Sequence, residues 1–289
     1  MKKISIGICI YNEEKNIGRL LDSILRQRLE NGMISEVIVV SSGSTDNSDM
    51  IVRELAKKDG RIRLLRQERR EGKASAVNYF LKEAKEEIVV VSSGDVIFEE
   101  NCLENLIRPF DDPKVGMTSV NPIPVNPRRS FTGYVSCMHW KLHNKFKRHG
   151  ETIAFRKSLV RKLPYDTAVD EAWIESVVVK RGYKIVHVDN AIVYNKGPES
   201  VSDFLKQRRR HYAGHLDLKK RTSYKISSMN LSQILEIIPK EGLANLMKLH
   251  FFLGYLILEL LGAFLGVWDY YFKKKNPYIW EIVQSTKEV

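Results

Sequence analysis

Apolar runs and polar breaks alternate regularly through the first third of the chain. Ile4 to Ile10 is short, apolar and rich in β-branched residues, and it stops at Tyr11-Asn12. It reads as a strand buried on both faces. Ile17, Leu20, Leu21, Ile24 and Leu25 then recur at helical spacing, with Asn12, Glu13 and Glu14 as a polar, acidic helix start. Val37 to Val40 predicts a second buried strand, ended by Ser41-Ser42-Gly43-Ser44-Thr45-Asp46. That composition makes a turn and can cap the next helix, whose inward face is Met50, Ile51, Leu55 and Ala56. Ile62 to Leu65 predicts a third strand, Lys73 to Ala84 a helix, and Ile88 to Val91 a fourth strand. Strand-helix alternation implies right-handed crossovers and a mostly parallel sheet with helices on both faces. Ligands of such sheets sit beyond the carboxyl ends of the strands. The polar segments Tyr11 to Glu14, Ser41 to Asp46 and Ser92 to Asp95 should therefore converge on one crevice.

The second half is less regular. Pro122, Pro124 and Pro127 mark an extended loop. Helices are expected over Phe131 to His149, Asp170 to Arg181 (ended by Gly182), and Ser200 to about Lys220, the last basic and serine-capped. Thr152 to Phe155, Lys184 to Val188 and Ile192 to Tyr194 read as strands. Phe251 to Trp268 is apolar except for Glu259, and near the lower length for a bilayer span. Leu243 to Leu249 extends its apolar character. Trp268, Tyr270 and Tyr271, followed by Lys273, Lys274 and Lys275, resemble an aromatic belt with a positive flank. A buried helix, or one lying in the interface plane, fits the same pattern, and Glu259 would be costly inside a span. The expected division is residues 1–222 as an α/β domain and 223–289 as a helical, membrane-associating segment.

Composition narrows the partners. The 289 residues carry a net charge of +12, with 43% hydrophobic and 28% charged residues, as a globular protein with a real core requires. The positive excess favours anionic partners. It gathers at Lys145, Lys147 and Arg148, at Lys206 and Arg208 to Arg210, at Lys219 to Arg221, and at Lys273 to Lys275. No finger or RNP-like motif accompanies it, so nucleic acid is not the expected partner. Cys9, Cys102 and Cys137 are scattered and form no CxxC pair, which fits a reducing compartment and excludes a zinc ribbon. Met1-Lys2-Lys3 leads straight into a strand and lacks the flanks of a signal peptide. The cytoplasmic face of the cell membrane is the expected location.

Six segments carry candidate chemistry. Ile10-Tyr11-Asn12-Glu13-Glu14 offers a flat aromatic face and an acceptor for a base or ribose. Ser41 to Asp46 is the second polar strand end. Gly72-Lys73-Ala74-Ser75-Ala76-Val77-Asn78 puts a lysine at a helix start, suited to a diphosphate, without the spacing of a P-loop. Ser93-Gly94-Asp95 ends the fourth strand, Asp170-Glu171 opens a helix, and Gln207-Arg208-Arg209-Arg210-His211 lies on the basic helix. Their order and spacing, from Ile10 to His211, resemble the family 2 glycosyltransferases, the inverting class with the GT-A fold. The resemblance implies that Ile10, Tyr11, Glu13, Ser42, Lys73, Ser93, Gly94, Gln207 and Arg210 bind the donor. It implies that Asp95, the surviving acid of a DxD element, holds Mg or Mn against the donor diphosphate. One of Asp170 and Glu171 would be the catalytic base, with Glu171 in register and Asp170 close enough to replace it. Serines stand at Ser41, Ser42 and Ser93 where the family has acids, and His211 stands where processive members have tryptophan. His211 and His215 are four apart on a helix, a weak candidate metal pair without the HExxH glutamate.

The implied activity is transfer of a sugar, with inversion, from a nucleotide diphosphate sugar to a membrane-associated lipid or polysaccharide. A UDP-sugar is favoured and GDP-mannose is possible. Two alternatives stand beside it. One is a degenerate member acting as a nucleotide-sugar or lipid-binding scaffold, for which Ser41, Ser42 and Ser93 speak. The other is a nucleotidyltransferase on a related fold, which would need a glycine-rich loop where Tyr11 to Ile17 has no glycine.

Overall fold

The computed structural model describes residues 1–227, 231–273, 278–279, 286 and 289; Lys274 and Lys275 lie outside them. The chain runs β1 (Lys2–Ile10), α1 (Ile17–Leu25), β2 (Gly32–Ser42), α2 (Ser48–Lys58), β3 (Ile62–Gln67), α3 (Lys73–Glu83) and β4 (Ile88–Ser93). These are the alternating elements expected, and β3, β2, β1 and β4 are adjacent and parallel. Ile4, Ile6, Ile8 and Ile10 face a core completed by Ile17, Leu20, Leu21 and Ile24 of α1. The other face of the sheet packs Ile38, Val40, Val89 and Val91 against Ala76, Val77 and Phe80 of α3. Gly7 is required there, because a Cβ would sit 2.4 Å from the Phe80 ring.

Helix α1 begins at Ile17, not at Asn12. Asn12 takes a left-handed φ of 54°, and its loop is tied to the loop after β2. The Asn12 amide donates to Ser44 Oγ (3.1 Å), the Glu13 amide to Ser48 Oγ (2.7 Å) and the Glu14 amide to Asp46 Oδ2 (3.0 Å). The polar residues expected to start one helix instead stitch two strand ends together. Asp46 also accepts from the Ser48 amide at the start of α2 (3.0 Å).

The second half adds β5 (Val96–Phe98), α4 (Cys102–Ile107), β6 (Val115–Pro124), α5 (Phe131–Lys145), β7 (Thr152–Arg156), α6 (Asp170–Lys180), β8 (Lys184–Asn195), α7 (Val201–Thr222), α8 (Leu231–Ala244) and α9 (Leu249–Tyr271). The full sheet is β3-β2-β1-β4-β7-β6-β8-β5 and is mixed, since β7 is antiparallel to both neighbours and β5 to β8. Three expectations need correction. Pro122 and Pro124 lie in β6, paired in register with Val193 and Asn195, rather than in a loop. The two strands expected after Gly182 are one, β8, which absorbs its polar middle through a register shift opposite Ser119 and Asn121. Helix α5 stops at Lys145, and Lys147 turns the chain with a φ of 47°.

Helix α9 packs along α7. A Cβ at Gly262 would meet Arg208 Cβ at 2.5 Å, and one at Gly266 would meet Tyr212 Cβ at 2.6 Å. Glu259 points inward, to His139 Nδ1 (3.0 Å) and the hydroxyls of Tyr212 and Tyr255 (3.2 Å each). Leu253, Ile257, Leu260, Phe264 and Trp268 on the other side are exposed. Leu246–Tyr271 is long and apolar enough to cross a membrane by length and composition.

Candidate active site

The ends of β1, β2 and β4 open into one cleft, which continues between α5, α6 and α7. Ile10, Tyr11, Glu13, Ser42, Lys73, Ser93, Gly94, Asp95, Glu171, Gln207 and Arg210 all line it. Tyr11 lies under the Arg70 guanidinium, 4.1 Å from ring centroid to Cζ, a cation–π contact at a site suited to a flat base. Gly94 permits the close approach of two strand ends, because a Cβ would lie 2.8 Å from Ile10 Cγ2 and 3.0 Å from Glu13 Cγ. Ser42 Oγ accepts from the Glu71 amide (3.0 Å), and Ser41 Oγ donates to Ser44 Oγ (3.0 Å). These serines thus hold the two loops that shape the cleft wall. Gly72, at a φ of 90°, lets the chain turn into α3 so that Lys73 points inward.

Lys73 joins the candidate acids. Its Nζ is 3.2 Å from Asp170 Oδ2 and is bonded to Glu171 Oε1. Burial opposes the ammonium, but Asp170 and Glu171 outweigh it and raise the Lys73 pKa above that of an ordinary lysine. Burial, then the Glu171 charge, pushes the Asp170 carboxyl up to about 7. At Glu171 burial is outweighed by Lys73, which holds the carboxyl below its usual range. Glu171 faces the cleft, whereas Asp170 is 1% exposed behind it. The arrangement presents one ionised carboxylate to the cleft, supported by an ammonium and a second acid. Cys9 also lines the cleft, but burial pushes its thiol up to about 12, so it is no nucleophile at neutral pH.

Several residues here escaped the sequence reading. Glu151 precedes β7 with a left-handed φ of 59°. Its carboxylate accepts from Asn195 Nδ2 (3.1 Å), and its carbonyl accepts from the Ser93 amide (2.8 Å). Burial, then the Asp95 charge, pushes the Glu151 carboxyl up to about 7. Two crowded carboxylates at a strand end suit a hard divalent cation. Among the described residues no three acids, histidines or cysteines converge as a ready metal cage, and His211 and His215 contact arginines instead. Arg148, Arg208, His143 and His149 line the deeper part of the cleft, and Thr286 returns to it from the far end of the chain. Arg148 was legible as part of a basic cluster and Arg208 as part of Gln207 to His211, whereas no local motif marks His143 or His149.

A model of the glycosyl transferase family 2 matches residues 5–164, and one of glycosyl transferase family group 2 matches residues 88–283. The chain is a family 2 glycosyltransferase. The poly-beta-1,6-N-acetyl-D-glucosamine synthase of Staphylococcus aureus is 25% identical over 230 residues, covering 74% of this chain and 55% of the relative. The chain therefore spans about half the length of that protein. Among solved structures, the mannosyltransferase PcManGT from Pyrobaculum calidifontis, in complex with GDP-Man and Mn2+, superposes with a TM-score of 0.61 at 24% identity. It covers 95% of this chain and 81% of its own. Glucosyl-3-phosphoglycerate synthase from Mycobacterium tuberculosis, with Mn2+, UDP and phosphoglyceric acid, gives 0.55 at 21% identity, over 75% and 78%. These likenesses establish the GT-A fold for this member of the glycosyltransferase family 2.

Proposed function

We propose that this glycosyltransferase moves a sugar from a nucleotide diphosphate sugar, with inversion, to an acceptor held at a membrane surface. The observation that carries the reading is the Lys73–Asp170–Glu171 cluster, set in the same cleft as Tyr11 and Asp95. In this reading Tyr11 and Glu13 hold the nucleoside, and Ile10, Ser42, Ser93 and Gly94 shape its pocket. Asp95 and Glu151 would hold Mg or Mn, whose chemistry when bound is to neutralise the diphosphate as it leaves. Among the described residues these two carboxylates are the candidates from the chain, and donor phosphate oxygens would add further hard ligands. Glu171 takes the proton of the acceptor hydroxyl while that oxygen attacks the anomeric carbon opposite the leaving diphosphate. Lys73 and Asp170 set the charge of Glu171, and Gln207 and Arg210 flank the leaving group. Similar proteins bound to GDP-Man or UDP keep both nucleotides in play, and a UDP-sugar is the favoured donor.

The division at residue 222 separates the transfer machinery from a C-terminal membrane contact. Helix α9 lies along the membrane rather than across it. Support comes from Glu259 and the glycine face turned toward α7, with the leucines turned outward. A helix with one packed polar side and one exposed apolar side suits the interface plane. Three free cysteines and the basic surface accord with the cytoplasmic face. The test is nucleotide release from UDP-, GDP- and dTDP-sugars with Mg2+, Mn2+ or EDTA, in the presence of membrane lipids. Metal-dependent release from one donor class is expected. Tight nucleotide-sugar binding with no release under any condition would replace transfer by a scaffold role.

A further inference from the structure

Beyond Glu171 the cleft ends among arginines and histidines that the transfer chemistry leaves unused. Arg148 follows α5, and Arg208, His211 and His215 project from α7. Arg148 Nη2 lies 3.0 Å from His215 Nε2. Arg208 Nη2 lies 3.0 Å from His211 Nδ1, and Arg210 Nη2 lies 2.8 Å from His211 Nε2. Among the described residues the one carboxylate within ion-pair distance of Arg148 or Arg208 is Glu259, 3.7 Å from Arg208 Nη1. It is already shared with His139, Tyr212 and Tyr255. The cluster is thus a buried positive charge with too little negative charge to balance it.

Its hydrogen-bonding inventory is as one-sided as its charge. Burial and the neighbouring arginines keep His211 and His215 neutral, and a neutral imidazole has one lone pair. His215 presents that lone pair to Arg148, so Nδ1 carries hydrogen, and Nδ1 has no partner. Arg208 Nε, on a side chain 3% exposed, has none either. His211 meets guanidinium donors at both nitrogens and can accept from only one. Surplus donors around a cavity call for a ligand made of acceptors. A phosphate supplies several oxygens and charge, whereas a sugar hydroxyl would bring further donors.

We propose that Arg148, Arg208 and His215 bind a phosphate monoester carried by the acceptor. The proposal rests on the transfer reading and names the substrate class for it. The donor diphosphate is the less suitable occupant. Arg210 feels the charges of Glu171, Asp170 and Glu151. Those around Arg148 belong to Arg208, Tyr212, Glu259 and Tyr255, on the side of α9. Gly262 of α9 backs Arg208 directly, so the subsite adjoins the helix with the exposed apolar face.

Calorimetric titration of the full chain in detergent with farnesyl phosphate, glycerol 3-phosphate and neutral farnesol tests this without turnover. Arg148→Gln should weaken phosphate-ester binding by about tenfold or more, and Arg148→Lys should keep part of it. UDP and GDP affinities should stay within about twofold, as for separate sites. His215→Asn gives the same readout should the arginine variant not fold. A preference for farnesyl phosphate over glycerol 3-phosphate identifies a lipid carrier, and equal affinity a soluble ester; both support the subsite. Unchanged ester binding in the folded variants, no ester binding by the wild type, or a parallel loss of nucleotide affinity overturns it. Ester binding that survives while no donor is turned over would sink the transfer reading and leave the subsite standing.

Discussion

The two ends of the cleft are built differently. The donor end is made by backbone. Three parallel strands stop together, their loops are sewn by Asn12, Ser44 and Ser48, and glycines allow the close approaches. The deeper end is made by side chains on α5, α7 and α9, where arginines, histidines and Glu259 meet across large sequence separations. The first arrangement ties its loops with backbone-amide hydrogen bonds and pairs Lys73 with Asp170 and Glu171. The second stores unbalanced charge in a low-dielectric space, where each group alters its neighbours. A donor pocket at the first end and an acceptor subsite at the second would divide the cleft between a ligand common to a family and one that differs between members.

The largest effect should come from the group between the two ends. Glu171→Gln should lower kcat by about 10²–10⁴-fold, read by nucleotide release from folded protein that still binds the nucleotide sugar. Asp170→Asn should cost less, because Asp170 stands behind Glu171. A greater loss in Asp170→Asn would transfer the base role to it. Next comes the donor-end scaffold. Phe80→Ala removes the ring that fills the space over Gly7 and should destabilise by about 3–5 kcal/mol in denaturant unfolding. Leu260→Ala, on the exposed side of α9, should change stability by at most about 0.5 kcal/mol yet weaken binding to lipid vesicles. Equal stability losses would show that this face of α9 is packed rather than free.

A smaller change is expected on removing the cation. EDTA, or Asp95→Asn, should weaken UDP-sugar binding by about tenfold, and Glu151→Gln should weaken Mn2+ binding measured by paramagnetic resonance. Nucleotide affinity indifferent to EDTA would confine Asp95 and Glu151 to a structural role.

The smallest effect contrasts the two ends through pH. Burial holds His139, His143, His149, His187, His211 and His215 below the usual imidazole value, with His139 at about 4 and His149 at about 3. Unfolded imidazoles take up protons below about pH 6.5, so these groups remove stability as pH falls from there toward their folded values. Burial pushes Glu151, Asp170 and Glu175 up to about 7. Folded carboxyls of that kind hold protons that unfolded ones release, so they add stability as pH falls from about 7 toward about 4. Six imidazoles against three carboxyls leave a net loss, and the melting temperature should drop between about pH 6.5 and 4.5. A rise would mean that the acids at the catalytic centre dominate.

The sequence by itself determined the parallel half of the sheet, because buried strands and amphipathic helices write their periods locally. It also determined which strand ends line the cleft, since right-handed crossovers place them on one edge. Lys73 and the Asp170-Glu171 pair were legible as motifs for the same reason, each sitting at the start of its own element. The tertiary structure alone decided the rest. Lys73 meets Glu171, 98 residues away in sequence, and Glu151 is brought beside the Asp95 strand end because β7 pairs antiparallel with β4. The proline-marked loop became strand because β8 was there to pair with it. Glu259, a liability in an isolated apolar helix, became the anchor of α9 once α7 supplied arginine and tyrosine partners. Charge balance in a buried site depends on distances across the fold, and no window of sequence contains them.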